Sequence, residues 1–123
     1  MSQPPEYKTD SLIIQYDDPV WQIQPLTRLD LTYSEDFLKE ATHFLTEKPA
    51  NTIIDLSLVP YMSSSGVKSI LNLQQLLRPH RYQVILCNLS STVQKLVELS
   101  ELIHVFMIAK DYNDARQKAA SIS

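Results

Sequence analysis

Three consecutive serines followed by the only glycine of the chain, Ser63–Gly66, form the most distinctive polar group in this sequence of 123 residues. The apolar segment before them, Ile53–Val59, predicts a buried strand, and the apolar pattern after them predicts a helix from about Val67 to Leu77. A helix start has unbonded backbone N–H groups and the positive end of the helix dipole. One of these serines can therefore cap the helix, or one can accept a phosphate without unfolding it.

A phosphate at this position would act mainly on an interface. It adds roughly −1.5 to −2 charges and three strong hydrogen-bond acceptors. Open α/β sheets place their functional sites at the carboxyl ends of their strands, which is where this serine run is expected. Phosphorylation would then break the contact with a partner while the domain stays folded. The residues alone leave both interpretations open, a helix cap and a phosphorylation switch.

The side chains that could support catalysis do not form a recognisable group. His43 is predicted within a helix, His80 in a turn and His104 at the edge of a strand, and no two have metal-ligand spacing. Asp55 lies inside an apolar strand, where its carboxylate needs a partner such as the N–H groups of a nearby helix start. We therefore expect no enzyme, no metal and no cofactor.

The composition excludes several classes of protein. A Walker A loop, a dinucleotide-binding fingerprint and a lipase-type nucleophile elbow each need two or more glycines, and this chain has one. The single cysteine, Cys87, lies in an apolar segment, which predicts a packed thiol rather than a reactive one. The net charge of −3 argues against a protein whose main partner is nucleic acid.

The charges are unevenly distributed along the chain. Residues 1–60 carry 4 basic and 10 acidic side chains, whereas residues 61–123 carry 7 basic and 4 acidic ones. Such a dipole is more typical of a protein that orients a protein partner. The first residues lack the basic and apolar regions of a signal peptide, and no apolar run approaches membrane-spanning length. We expect a cytoplasmic protein without membrane insertion.

The apolar patterns predict one α/β domain with the element order β-β-α-β-α-β-α-β-α. Residues 1–10, which are polar and contain Pro4 and Pro5, are expected to form a flexible arm, and residues 11–120 the domain. Alternating strands and helices predict a mixed sheet with a parallel section and with helices packed on it. The strands are predicted over residues 12–16, 20–23, 53–59, 83–88 and 104–109.

Polar residues predict where three of the helices begin. Ser34 is expected to cap the first helix, which the sequence ends near Pro49. Ser90 and Ser91 are expected to cap the third helix, and Asp111 the last one.

The segment Ile54–Val67, which reads IDLSLVPYMSSSGV, resembles the signature of the STAS domains of anti-sigma factor antagonists. In that family, a strand that reads Asp-Leu-Ser leads through a hydrophobic turn to Asp-Ser-Ser-Gly and a helix. Arg28–Asp30, Asn88–Val93 and Val97–Phe106 resemble three further family segments. The resemblance covers about residues 12–118 and implies the same element order.

The resemblance implies a role in partner switching. In the family, the unphosphorylated antagonist binds an anti-sigma factor that is also a serine/threonine kinase, which frees the sigma factor. The kinase then phosphorylates the first serine of Asp-Ser-Ser-Gly, and a PP2C-type phosphatase resets the cycle. The matching residue here is Ser64. The expected partner surface comprises Arg28, Asp30, Tyr61, Met62, Ser63, Ser64, Ser65, Gly66, Val67, Lys68, Ser90, Ser91 and Thr92.

The chain departs from the family pattern at two positions, and the first of them keeps an alternative open. Ser63 stands where the family has the aspartate before the phosphorylated serine, which also makes Ser63 a second candidate acceptor. Thr27 stands where the family has a glycine before Leu-Asp. The alternative is a STAS-type regulator of a target other than a sigma factor, or a constitutive subunit that binds the ATPase of a lipid-transport ABC system.

Overall fold

Six strands and four α-helices follow one another in the described part of the computed structural model, residues 5–101 and 104–122. The strands are β1 (Glu6–Lys8), β2 (Leu12–Asp17), β3 (Val20–Pro25), β4 (Asn51–Asp55), β5 (Val84–Cys87) and β6 (Met107–Ala109). The helices are α1 (Ser34–Glu47), α2 (Ser64–Leu77), α3 (Ser91–Leu99) and α4 (Tyr112–Ala120). A short 3₁₀ turn, Arg78–His80, follows α2 at the position where Pro79 ends the helix.

The strands form one mixed sheet in the order β1-β2-β3-β4-β5-β6. The pairs β1–β2 and β2–β3 are antiparallel, and the pairs from β3 to β6 are parallel. The α/β class, the mixed sheet and the predicted order of the elements from β2 to α4 are confirmed. Because β3, β4 and β5 run in the same direction, the loops that follow them leave the sheet at one edge.

Helices cover both faces of the sheet. On one face, Ile54 and Leu86 belong to a large core together with apolar residues of α1, α2 and α3. On the other face, Ile53 and Ile85 pack with Ala115 and other residues of α4. This burial on both faces explains why the central strands read as continuous apolar runs.

The structure corrects two details of the predicted strands. Glu6–Lys8, within the segment expected to be a flexible arm, pairs with β2 as an edge strand; its three side chains are exposed, so it carries no apolar signal. Residues 1–4 lie outside the described residues. The last strand covers only Met107–Ala109, because His104 lies in a short 3₁₀ turn, and residues 102 and 103 lie outside the described residues.

Ser34 does not cap α1, contrary to the prediction. It is the first residue of the helix and is buried, and no side chain caps the helix at the preceding residue, Tyr33. Asp30 organises this turn instead: its carboxylate accepts from the backbone N–H groups of Thr32 (3.0 Å) and Tyr33 (3.2 Å), and its backbone carbonyl accepts from the Ser34 N–H (2.8 Å). The caps predicted at Ser90 and Asp111 are confirmed.

Candidate functional site

The serine run forms the first turn of α2. Ser63 is the N-cap residue, and its hydroxyl accepts a hydrogen bond from the backbone N–H of Ser65 (3.2 Å). Serine is among the residue types most favoured at the N-cap position. Ser64 begins the helix and is exposed, and its hydroxyl makes no hydrogen bond to another described residue. The two serines are therefore not equivalent: one holds the helix start, and the other faces solvent.

A second turn, Arg28–Asp30, is joined to the turn before α2. Leu29 and Met62 form an isolated parallel bridge. The Leu29 N–H donates to the Tyr61 carbonyl (3.1 Å), and the Ser63 N–H donates to the Leu29 carbonyl (2.9 Å). The structure thus brings together two segments that the sequence places more than thirty residues apart.

Gly66 makes this close approach feasible. A Cβ atom added at Gly66 would lie 2.3 Å from the Leu29 carbonyl oxygen, 2.5 Å from Met62 Cγ and 2.8 Å from Leu29 Cβ. All three distances are shorter than a carbon atom can tolerate, and the nearest atom belongs to the backbone. The only glycine of the chain is therefore required at this position by packing.

Arg28 and Asp30 are paired with each other. The Arg28 Nε lies 2.5 Å from Asp30 Oδ2, and the guanidinium carbon lies 4.8 Å from the centre of the Tyr33 ring. The hydrogen bond from Arg28 lowers the pKa of the Asp30 carboxyl, with help from the backbone N–H groups of Tyr33 and Thr32. The same hydrogen bond raises the pKa of Arg28. Both groups are charged at neutral pH, and each is already partly neutralised by the other.

A third turn lies after the neighbouring strand, β5. Asp55 is buried, and its Oδ1 accepts from the Ser57 N–H (2.9 Å) and from the Asn88 side-chain amide (3.1 Å). The buried carboxylate thus has the partners that it was expected to need, and they are a backbone N–H group in a turn and a side-chain amide rather than the N–H groups of a helix start. Asn88 has a positive φ of 56° and leads to Ser90, whose hydroxyl caps α3 by accepting from the Val93 N–H (3.1 Å). Asp55 therefore ties the turn after β4 to the turn after β5.

Two grooves flank the start of α2. The groove between α2 and α3 has a volume of about 470 Å³ and is lined by Ser64, Ser65, Val67, Lys68, Leu96, Leu99 and Ser100. The groove between α1 and α2 has a volume of about 200 Å³, and its lining includes Leu31, Ser34, Ser65 and Lys68. Lys68 and Ser65 line both grooves, so the helix start separates them.

Exposed apolar side chains lie on the same segments. Leu31 is 82% exposed, Tyr61 is 50% exposed and Leu99 is 75% exposed. Leu31 and Leu99 line the two grooves, and Tyr61 lies in the turn that bonds to Leu29. Exposed large apolar groups that share one region are typical of a surface that binds another protein. Sequence reasoning missed Leu31 and Leu99, because an apolar residue in a loop or at a helix end gives no signal of its own exposure.

Burial changes what three of the predicted surface residues can do. Met62 is 1% exposed, and Gly66 and Val67 are also buried. Met62 and Gly66 cannot present atoms to a partner and instead support the bridge to Leu29, which corrects their assignment to the partner surface. Val67 forms part of the wall of the α2–α3 groove. Ser64, Lys68, Ser90, Ser91 and Thr92 are exposed.

The remaining polar candidates do not belong to this site. His43, His80 and His104 are exposed, and the described residues contain no group of three or more metal-ligating side chains. Cys87 is fully buried, and burial, with the nearby charge of Asp55, raises the pKa of its thiol to about 12. The thiol is therefore a packing group, as predicted.

A STAS domain family model matches residues 20–115, which is most of the chain. The chain belongs to the STAS domain family. The matched range contains all three turns described above as well as the whole of α2. No curated protein sequence matches the chain significantly.

Several solved structures have the same fold as this chain. A putative anti-sigma factor antagonist of Thermotoga maritima is 18% identical with a TM-score of 0.79, over 95% of this chain and 94% of that one. The unphosphorylated anti-sigma factor antagonist SpoIIAA is 22% identical with a TM-score of 0.76, over 92% and 99% of the two chains. The phosphorylated form of SpoIIAA from Bacillus is 21% identical with a TM-score of 0.66, over 88% and 98%. At these identities, the likeness establishes the fold alone.

The longest helices described in this STAS domain, α1 and α2, have 14 residues each. Within residues 5–101 and 104–122, none is long and apolar enough to cross a bilayer.

Proposed function

We propose that this STAS domain is an anti-sigma factor antagonist that works by partner switching, with Ser64 as its phosphorylation site. In the unphosphorylated state, it binds an anti-sigma factor that is also a serine/threonine kinase. The observation that carries the proposal is the contrast within the serine run. Ser64 is exposed in the first turn of α2 and its hydroxyl bonds to none of the residues that the structure describes, whereas the hydroxyl of Ser63 caps the helix.

The surroundings of Ser64 support a docking surface. The two grooves, the exposed side chains of Leu31, Tyr61 and Leu99, and the bridged turn at Leu29 are all contiguous with the start of α2. A partner that covers this region would bury apolar groups around a polar centre, which is the usual composition of a protein interface. Tyr61 and Arg28, at the edge of the surface, are of the residue types that most often contribute binding energy.

Phosphorylation of Ser64 would break this interface without unfolding the domain. The Ser64 oxygen would attack the terminal phosphorus of ATP held by the kinase, an O–P bond would form, and ADP would leave while the hydroxyl proton passes to a base on the kinase. The new phosphate lies at the positive end of the α2 dipole, so the helix tolerates it. Within the interface, the same group would have to lose its hydration against apolar side chains, at a cost that the complex cannot recover.

The chain itself acts as a substrate and binding module and not as an enzyme in this cycle. Removal of the phosphate requires a second partner, a PP2C-type phosphatase, for which the exposed Ser64 position leaves access. Ser63 remains a second candidate acceptor. Phosphorylation there would need the Ser63 hydroxyl to leave its hydrogen bond with the Ser65 N–H, so we expect Ser64 to be modified first.

The proposal is tested by mapping phosphorylation on protein purified from its own cells and by measuring partner binding. A tryptic peptide containing Ser63, Ser64 and Ser65 must be fragmented, because fragment ions are needed to separate the three serines. The partner retained by the wild-type domain is then tested against Ser64→Ala and Ser64→Asp. We expect a phosphate on Ser64, a kinase-type partner, unchanged binding by Ser64→Ala, and a loss of at least tenfold in affinity by Ser64→Asp.

Other outcomes would overturn the proposal in recognisable ways. Equal binding of Ser64→Ala and Ser64→Asp would refute the switch. An unmodified serine run under several growth conditions, with an ABC-type ATPase as the retained protein, would favour a constitutive subunit. If phosphorylation releases the partner but the partner controls no sigma factor, the switch mechanism stands and the proposed target is wrong. Ser63→Ala is the matched control for the Ser64 variants. It removes the hydroxyl that caps the helix and leaves the Ser64 side chain in place.

A further inference from the structure

A pocket at the far end of α2 from Ser64 is lined by two arginines. This arginine pocket has a volume of about 270 Å³, and its lining includes Gln74, Arg78, Arg81, Tyr82, Gln83 and His104. Among the described residues, no aspartate or glutamate lines it. Because α2 has 14 residues and therefore spans about 20 Å, the pocket is separate from the two grooves at the start of the helix.

Neither arginine of the pocket has an ionic partner within the part of the chain that the structure describes. Both are exposed, and the ion pairs formed there involve other basic residues. Residues 56–97, which contain both arginines, carry four basic side chains and no carboxylate. In a chain with a net charge of −3, the pocket thus combines two positive charges that nothing nearby in the sequence neutralises.

The dipole of α2 balances only part of this positive charge. Basic side chains after a helix are stabilised by the negative end of its dipole, which is equivalent to about half an elementary charge. Two arginines exceed that by about one and a half charges. An anion in the pocket therefore meets a net positive field, although it lies near the end of a helix.

Backbone hydrogen bonds hold the turn that carries the two arginines. The Arg81 N–H donates to the Arg78 carbonyl (2.9 Å), and the Tyr82 N–H donates to the Leu77 carbonyl (3.2 Å). Pro79, between the arginines, restricts its own φ. Both guanidinium groups therefore extend from one fixed turn, and little backbone freedom is lost when an anion binds to both.

The strand start that forms another wall of the pocket is also fixed. Gln74 is 4% exposed, and its Oε1 accepts from the Val84 N–H (2.8 Å). The Asn51 Oδ1 accepts from the Gln83 N–H (2.8 Å). These two bonds attach the start of β5 to α2 and to β4, so the wall is formed before any ligand binds.

Arg81 stands at a position where glycine is the most favoured residue. Its φ is 64°, in the left-handed region that glycine adopts without strain after a helix. A residue with a Cβ is strained in this region. Residues held in such conformations are often found at ligand sites, and here the strained residue lines a pocket.

The charge and size of the pocket define the chemistry of its occupant. A guanidinium group donates two parallel hydrogen bonds to a phosphate or a carboxylate. Two such groups match the roughly −1.5 to −2 charges of a phosphate monoester better than the single charge of a carboxylate. The volume is just below the range of about 300–1,000 Å³ for ligand pockets, so it suits a phosphate with a small organic group.

The surroundings favour a small molecule over a protein as the occupant. Of the large apolar side chains that are exposed in the described residues, only Tyr82 lines this pocket. A protein docking surface would combine several such groups, as the start of α2 does.

We propose that the arginine pocket is a binding site for a small phosphate monoester, with Arg78 and Arg81 donating to its phosphate group. The site is independent of the proposed function, because the pocket shares no lining residue with the grooves beside Ser64. Each of the two sites can therefore be disproved while the other stands.

The first test is an NMR titration of the full chain with glycerol 3-phosphate at about pH 7.5, where the phosphate is mostly dianionic, and at constant ionic strength. We expect saturable shifts of the Arg81, Tyr82 and Gln83 amides and no shifts over residues 64–68. Succinate is the control: its two charges lie on separate groups, so we expect it to bind at least about fivefold more weakly. The absence of saturable shifts would refute the site, and equal affinity for succinate would refute its preference for phosphate.

Charge-removing variants test the two arginines. We expect Arg78→Gln and Arg81→Gln each to weaken binding of glycerol 3-phosphate by roughly 10- to 100-fold, the range for a charged hydrogen bond. Lys95→Gln is the matched control, because it removes an exposed positive charge of α3 that does not line the pocket. It should change the affinity less than about twofold. Wild-type affinity in both arginine variants would refute the proposal.

Arg81→Gly separates loss of binding from loss of folding. Glycine removes the guanidinium group and also relieves the left-handed backbone, so the melting temperature should be unchanged or raised by a few degrees. The affinity should nevertheless fall as far as in Arg81→Gln. A glycine variant that is more stable and still binds like the wild type would show that Arg81 has no part in the site.

Vesicles distinguish a free phosphate ester from a lipid headgroup with the same phosphate chemistry. The full chain is sedimented with phosphatidylcholine vesicles with and without phosphatidic acid. We expect no difference between the two, together with binding of glycerol 3-phosphate in solution. Binding to phosphatidic acid that is lost in Arg81→Gln and displaced by glycerol 3-phosphate would overturn the free ester in favour of the headgroup.

Discussion

Substituting Gly66 by alanine tests the packing that joins the two turns of the site. The new Cβ would lie 2.3 Å from the Leu29 carbonyl oxygen and 2.5 Å from Met62 Cγ. The Met62 side chain can rotate away, but the Leu29 oxygen belongs to the backbone and accepts the Ser63 N–H. The turn at Arg28–Asp30 must therefore move away from α2, which weakens its hydrogen bonds to Tyr61 and Ser63.

The expected destabilisation is the sum of one stabilising and two destabilising contributions to the free energy of folding. Alanine is better than glycine within a helix by about 1 kcal/mol. Overpacking costs about 1–3 kcal/mol, and each of the two weakened backbone hydrogen bonds costs about 1 kcal/mol. We expect Gly66→Ala to lower the free energy of unfolding by about 2–4 kcal/mol, and the melting temperature of a domain of this size by roughly 10 °C.

Urea denaturation followed by circular dichroism measures this change. Ser64→Ala is the matched control, because it adds no atom at the same helix start, and we expect it to lie within about 0.5 kcal/mol of the wild type. NMR chemical shifts of the Leu29 and Tyr61 amides should move in Gly66→Ala and not in the control. A Gly66→Ala domain as stable as the wild type would refute the close-packing explanation for the single glycine.

Two further predictions concern titratable groups away from the site, one buried and one half-buried. Cys87 is fully buried with a thiol pKa of about 12, so we expect a thiol reagent at pH 8 to label it only after denaturation; rapid labelling of the native protein would contradict this. Burial and the hydrogen bond that Tyr112 donates to Asp17 raise the pKa of its hydroxyl to about 12, so its contribution to stability is present below about pH 10 and is lost as the pH rises towards 12. Tyr112→Phe should reduce the slope of unfolding free energy against pH in this range, and an unchanged slope would contradict the assignment.

Local patterns in the sequence were sufficient for most of the fold. The strands at residues 12–16 and 20–23 and the caps at Ser90 and Asp111 depend on residues close together in the chain, and they were predicted correctly. The edge strand at Glu6–Lys8 was missed, because its exposed side chains have no apolar alternation. The cap predicted at Ser34 was wrong, since Asp30 satisfies the helix start from the preceding turn.

The candidate site was only partly readable from the sequence. The position of Ser63–Gly66 between a strand and a helix, and the expectation that one of its serines caps the helix, came from the residues themselves, and the structure confirms both. The sequence did not predict which serine caps the helix and which one faces solvent, because any of the three can act as a cap. Only the described geometry shows that Ser63 accepts the Ser65 N–H and that Ser64 faces solvent.

The sequence by itself determined the elements, their order and the position of the serine run, because apolar periodicity and capping are local properties. The tertiary structure decided which distant residues meet. Leu29 reaches Met62, Asp55 reaches Asn88, and Lys68 lies between two grooves only because the strands and helices cross as they do. The burial of the Ser34 hydroxyl likewise depends on how α1 packs against α2, which no local pattern contains.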